Sequence, residues 1–166
     1  MPRDVFIGSG SNLGDRLAAL AKAAELLSPD VRVLEASKVH ETPPWGYEDQ
    51  PAFLNQVLHA ETELDPPALL KYLKRIEHKM GRKATFRYGP RAIDLDILFY
   101  DGLIISTDNL QIPHPMAAER AFVLVPMREI APDFIHPALG KSITELARSV
   151  DGSGIIVYEK DSDGKA

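Results

Sequence analysis

Residues 4–9 (DVFIGS) set a short apolar run, Val5 to Ile7, ahead of glycine and serine, which predicts a short strand from Asp4 to Ser9. The pattern then changes. Leu13, Leu17, Leu20, Ala21, Ala24 and Leu27 recur at helical spacing, with Asn12 as the expected N-cap, Asp15 near the positive helix end, and Pro29 closing the helix. Residues 31–41 (VRVLEASKVHE) are rich in β-branched side chains and predict a strand. The Pro/Gly stretch TPPWGYEDQP (42–51) predicts a loop, and FLNQVLHAETEL (53–64) the next strand. Asp65-Pro66 signals a second helix start, Leu69, Leu73, Ile76 and Met80 form its apolar stripe, and Gly81 suits its C-cap. A basic loop, RKATFRYGPR (82–91), leads into a predicted strand DLDILFY (94–100). Beyond it, QIPHP (111–115) is expected to be a loop, 116–131 partly helical, SITELARSV (142–150) a short helix and GIIVYEK (154–160) an added edge strand.

The resulting order is β-α-β-β-α-β followed by extra elements. It implies an α+β fold of the ferredoxin-like kind: an antiparallel sheet with helices packed on one face, plus C-terminal additions. Residues 1–160 are expected to form a single domain and 161–166 (DSDGKA) a disordered tail.

Composition narrows the function. A net charge of −5 argues against nonspecific nucleic-acid binding, which needs a broad basic surface. Cysteine is absent, which excludes disulfides and thiolate metal sites. No apolar run reaches membrane-spanning length, and MPRDVFIGSG lacks the apolar core of a signal peptide, so a cytoplasmic, soluble protein is expected; a monomer is a separate expectation.

The chemistry concentrates in RYGPRAIDLDILFYDG (87–102). On a strand, Asp94 and Asp96 share a face, about 6–7 Å apart at Cα, while Leu95 and Ile97 point the other way. Two carboxylates so close repel unless a cation joins them, and all-oxygen ligation suits Mg²⁺ with substrate phosphates and water. Arg82, Arg87 and Arg91 lie just upstream, and arginine forks match phosphate oxygens. Acids, metal and arginines together are what phosphoryl transfer requires. A D-x-D pair alone also fits a solvated edge strand. The chain has no G-x-x-x-x-G-K-[ST] motif, and GSGSNLG (8–14) misses the dinucleotide-binding glycine spacing, so a simple strand-to-helix turn explains it as well.

RYGPRAIDLDIL (87–98) closely resembles the signature of the 6-hydroxymethyl-7,8-dihydropterin pyrophosphokinases, a family of folate-pathway enzymes. GSNLGD (10–15), ETPPWG (41–46), DQPAFLNQV (49–57) and PHPMAAERAFVLVP (113–126) resemble further family blocks in family order. The resemblance implies a ferredoxin-like fold and transfer of the terminal diphosphate of ATP to the pterin hydroxymethyl oxygen, with release of AMP and participation of two Mg²⁺ ions. By matching position it implies Asp94 and Asp96 as metal ligands, and Arg82 and Arg91 as phosphate contacts that steady the reaction. His114 and Arg120 would grip the nucleotide phosphates from the other side, the histidine best when protonated. Thr42, Pro43, Pro44 and Asn55 would line the pterin site, with Phe53 and Phe122 sandwiching the flat ring. Glu77, Tyr88 and Ile97 would fall near the nucleotide. Taken singly, Phe53 and Phe122 also suit an ordinary core, Asn55 a turn, Thr42-Pro43-Pro44 a rigid loop, Arg120 a helix surface and Glu77 a surface salt bridge.

The chain departs from the family pattern at Ala84, where a second arginine is usual, at Tyr88, usually tryptophan, and at Met116, often arginine. None of these removes an expected metal ligand. Two other readings stand beside this one: a metal-dependent nucleotidyltransferase, whose glycine-serine turn would lie shortly before the acids, and a non-catalytic ligand-binding module, which would not need Asp94 and Asp96 together with Arg82 and Arg91.

Overall fold

The computed structural model describes residues 1–43, 49–81 and 92–158. Chain order is β1 (Arg3–Ser11), α1 (Arg16–Leu27), β2 (Val31–Ala36), β3 (His40–Thr42), β4 (Phe53–Thr62), α2 (Pro66–Lys79), β5 (Asp94–Tyr100), β6 (Ile105–Ser106), β7 (Gln111–Ile112), α3 (Ala121–Ile130), α4 (Ile143–Arg148) and β8 (Ile156–Val157). The main sheet runs β5-β1-β4-β3-β8, with β2 also paired to β4, and every pairing is antiparallel. β6 and β7 form a small separate hairpin.

Local signals explain most boundaries. Asp65 caps α2 by accepting from the Ala68 amide at 2.9 Å, with proline in the first turn, and Gly81 takes φ 85° just past its end. Ser142 and Glu145 make a reciprocal capping box on α4. Three expectations are corrected. The N-cap of α1 is Asp15, which accepts from the Ala18 amide, and not Asn12; β1 runs on to Ser11, and Gly14 at φ 65° turns the chain so that Asp15 meets the helix mouth. The strand expected over 31–41 is interrupted, because Ser37 leaves the ladder to exchange bonds with Val57: its amide donates to the Val57 carbonyl and its hydroxyl accepts the Val57 amide. Within QIPHP, Gln111 and Ile112 are a strand paired to β6.

Alternation along the strands splits the interior into two layers. Val5, Ile7, Leu54, Leu58, Leu95 and Ile97 pack with Leu20, Leu27, Leu69, Leu73 and Ile76 of α1 and α2. Phe6, Val57, Leu98 and Phe99 pack with Val123, Leu124, Met127, Ile143 and Leu146 of α3 and α4. The expectation of helices on one face therefore holds for α1 and α2, and is corrected for α3 and α4, which cover the other. The reason lies in β1, β4 and β5, which carry apolar residues of both phases, so neither face can be left to solvent.

Candidate active site

The site grows from two glycines in β1. Gly10 stands opposite Asp94 on β5 and Asn55 on β4; Gly8 stands opposite Asp96 and Val57. Residues directly opposite share a face, so both acids and Asn55 project to the α3 side along with Val57. β1 contributes no side chain to the strip between them, and the side chains of Asn55 and Leu98 reach over it instead. A Cβ on Gly10 would come within 2.7 Å of Asn55 Oδ1, and one on Gly8 within 3.4 Å of Leu98 Cδ2. Position 10 is thus tight, and a side chain there would have to displace the Asn55 amide oxygen. The register of β5 slips between Phe6/Ile7, leaving Leu98 as the extra residue. Leu98 and Phe99 consequently both join the α3/α4 layer, while Asp94 and Asp96, half-buried, keep their phase ahead of the bulge.

The pterin-side residues expected from the sequence meet at the opposite edge of the strip. Thr42 is paired with Phe53, and Asn55 Nδ2 donates to Thr42 Oγ1 at 2.6 Å. Thr42 is buried, Phe53 and Asn55 are half-buried, and Pro43 is exposed beside them. α3 packs across β3 and β4 and brings half-buried Phe122 to this face. The Arg120 guanidinium lies over the Phe122 ring, 5.2 Å from its centre, and Arg120 Nη2 donates to Met116 Sδ at 3.4 Å.

His114 is fastened to the bulge, its amide donating to the Leu98 carbonyl at 2.9 Å. Its Nδ1 accepts the Met116 amide at 3.1 Å, which places the ring hydrogen of the neutral form on Nε2. Burial, and then the nearby Arg120 charge, lower its pKa to about 4 against an opposing pull from Asp94. At neutral pH, with no nucleotide bound, His114 is therefore an uncharged Nε2–H donor.

Glu77 is buried, at 5% exposure, and its Oε2 accepts the Leu95 amide at 2.7 Å. It does not lie on the surface, and it holds the backbone between the two aspartates. Ile97 turns its side chain into the α1/α2 layer, so only its main chain is available to a ligand on the acid face. Pro44, Arg82, Tyr88 and Arg91 lie outside the described residues, as do Arg87 and Ala84. Sequence reasoning missed the part played by Gly8 and Gly10; the available signal was their i, i+2 spacing inside a strand. It also missed Asn12, whose Nδ2 donates to Gln50 Oε1 and to the Pro51 carbonyl, both at 2.9 Å.

The donor set fits a divalent cation of the magnesium type. Among the described residues no group of three or more His, Cys, Asp or Glu could hold a metal. A paired carboxylate site is what a cation needs when phosphate and water supply its remaining oxygens.

The family model for 7,8-dihydro-6-hydroxymethylpterin-pyrophosphokinase matches residues 6–132. The chain is 45% identical over 152 residues to the 2-amino-4-hydroxy-6-hydroxymethyldihydropteridine pyrophosphokinase of Methylorubrum extorquens, covering 90% of this chain and 95% of that protein. It is 44% identical over 142 residues to the protein of the same name from Aquifex aeolicus, covering 86% and 89%. A folic acid synthesis protein of Dictyostelium discoideum is 43% identical over 152 residues, and there the match spans 92% of this chain but 23% of the longer protein. Among solved structures, Plasmodium falciparum HPPK-DHPS with pteroate aligns at a TM-score of 0.74 and 17% identity, over 90% of this chain and 42% of that one, a likeness of fold. This chain belongs to the 7,8-dihydro-6-hydroxymethylpterin-pyrophosphokinase family.

Proposed function

We propose that this chain transfers the diphosphate of ATP to the hydroxymethyl oxygen of 6-hydroxymethyl-7,8-dihydropterin, a step of folate biosynthesis. The hydroxyl oxygen bonds to the β-phosphorus, the bond from that phosphorus to the bridging oxygen breaks, AMP leaves with the bridging oxygen, and the hydroxyl proton passes to water. The observation that carries this reading is the placement of Asp94 and Asp96 on the same sheet face as Thr42, Phe53 and Asn55, across a strand that contributes no side chain of its own at Gly8 and Gly10. A polyanion and a flat heterocycle can lie there side by side, within reach of each other.

Asp94 and Asp96 would hold magnesium, two ions in our reading, which supplies charge neutralisation for the phosphates when bound. Glu77 fixes the D-L-D backbone through Leu95. His114 offers an uncharged donor and Arg120 a charged fork to phosphate oxygens from the α3 side. Asn55, tied to Thr42, presents a fixed amide to the pterin edge, and Phe53 and Phe122 its stacking surfaces. Arg82 and Arg91 would complete the phosphate grip, with Tyr88 beside the nucleotide and Pro44 beside the pterin. The split β-α-β order of the sheet supports a ferredoxin-like assignment, and the shared sheet supports one domain over 1–160. We read the chain as acting as a monomer. We read its location as cytoplasmic; no described helix is long and apolar enough to cross a membrane.

The test is a coupled assay for AMP with ATP, Mg²⁺ and hydroxymethyl-dihydropterin. AMP formed only when all three are present is the expected result; ADP or pyrophosphate as the product would overturn the reading.

A further inference from the structure

The wall carrying Thr42, Pro43 and Phe53 is held from behind by a side chain that the proposed chemistry does not use. Arg16 opens α1 on the reverse face of the sheet. Its Nη1 lies 2.8 Å from Glu41 Oε2 and donates to the Ala52 carbonyl at 3.0 Å. Glu41 precedes Thr42 in β3, and Ala52 precedes Phe53 in β4, so one guanidinium grips the residues behind both. Strand alternation puts Glu41 and Leu54 on the α1 side when Thr42, Phe53 and Asn55 are on the α3 side. Arg16 is therefore separated from the site by the thickness of the sheet.

A third support comes from the end of the chain. The Arg16 guanidinium lies over the Tyr158 ring, 5.4 Å from its centre. The Tyr158 amide donates to the Val39 carbonyl at 2.8 Å, and β8 pairs with β3, Ile156 opposite Glu41 and Val157 opposite His40. Gly154 packs so close to Pro43 that an added Cβ would lie 3.3 Å from the proline ring. Guanidinium is suited to this place because a planar fork can meet a carboxylate, a carbonyl and an aromatic face at once, whereas an ammonium meets them singly.

We propose that Arg16 is a positioning residue for the pterin-side wall, and that Tyr158 with the β8 strand completes the same clamp. The inference rests on the function proposed above for its kinetic readout, and on hydrogen exchange for a readout independent of it. Arg16→Ala, in the full chain, is expected to raise the KM for hydroxymethyl-dihydropterin by about tenfold, the scale of one lost charge-assisted bond. The KM for ATP should change less than twofold. Arg16→Lys should recover part of the loss, and Tyr158→Ala should raise the pterin KM by a smaller factor in the same direction. Exchange of the Phe53 and Leu54 amides should quicken in Arg16→Ala while that of the α2 amides stays as in the unaltered protein.

Equal rises in both KM values, or none, would overturn the clamp, as would unchanged exchange at 53–54. Should Arg16→Ala fail to fold, Arg16→Lys and Tyr158→Ala carry the same test, and an unaltered pterin KM in both rejects the proposal. If the unaltered protein forms no AMP, the functional reading fails, and the exchange experiment still decides the clamp.

Discussion

The two faces of the central sheet are built from the same strands and serve different ends. Toward α1 and α2, the strands β1, β4 and β5 present Val5, Ile7, Leu54, Leu58, Leu95 and Ile97, an aliphatic and fully covered layer. Toward α3 and α4 they present a cluster of rings at one end, where Phe99 and Phe134 lie 4.9 Å apart and Phe6 stacks on His59 at 4.8 Å. At the other end of that face stand Gly8, Gly10, Asn55, Asp94 and Asp96. The hydrophobic effect that stabilises the sheet works mainly through the first face and the ring cluster. The other end of that second face is thereby free to carry half-buried acids and missing side chains, features that would cost stability inside a dry layer.

Substitutions on the two faces should separate accordingly. The largest effect is expected from Asp96→Ala, which removes one of the paired acids. Turnover in the AMP assay should fall by roughly a hundred- to a thousandfold, with the circular dichroism spectrum and thermal midpoint close to the unaltered protein. Full activity would erase the distinction drawn here. Next comes Leu73→Ala, in the covered layer at 0% exposure. It should cost about 2–5 kcal/mol of stability in urea unfolding, while kcat/KM of the folded fraction stays within twofold.

Gly10→Ala sharpens the contrast, since it lies in the sheet yet faces the site. The new methyl displaces Asn55 Oδ1 and loosens the bond to Thr42. Strain and the stiffer unfolded chain act in opposite directions, so stability should change by only about 1 kcal/mol. The pterin KM should rise severalfold. An effect that appears only on acidification concerns His114, whose folded pKa of about 4 lies below its ordinary 6.5. Between those values the unfolded chain binds a proton that the folded chain refuses. Its contribution to stability is complete above pH 6.5 and declines as the pH falls toward 4. Urea midpoints at pH 7 and pH 5 should differ more for the unaltered protein than for His114→Gln; equal differences would remove His114 from the account.

Much of this could be read along the chain. The segment DLDILFY is the strand Asp94–Tyr100, and Asp65-Pro66 opens α2 where its capping chemistry predicts. The common face of Asp94 and Asp96 follows from strand period alone. Other features had no local signal. Asn12 looks like a helix cap, and its amide is instead taken by Gln50 and Pro51, some 38 residues away. Glu77 looks like a surface acid near a helix end and is buried against the Leu95 amide. The bulge at Leu98 depends on how β5 meets β1, and so does the layer to which Phe99 belongs.

Periodicity and capping are properties of neighbours in sequence, and they alone determined the main helices, most of the strands and the shared face of the two acids. Which side of the sheet that face would be, what covers it, and that Gly10 would separate Asp94 from Asn55 were decided by tertiary pairing. The physical reason is that alternation sets only the relative phase of side chains within a strand; their absolute direction, and their partners across the sheet, exist only once distant segments have found a common register.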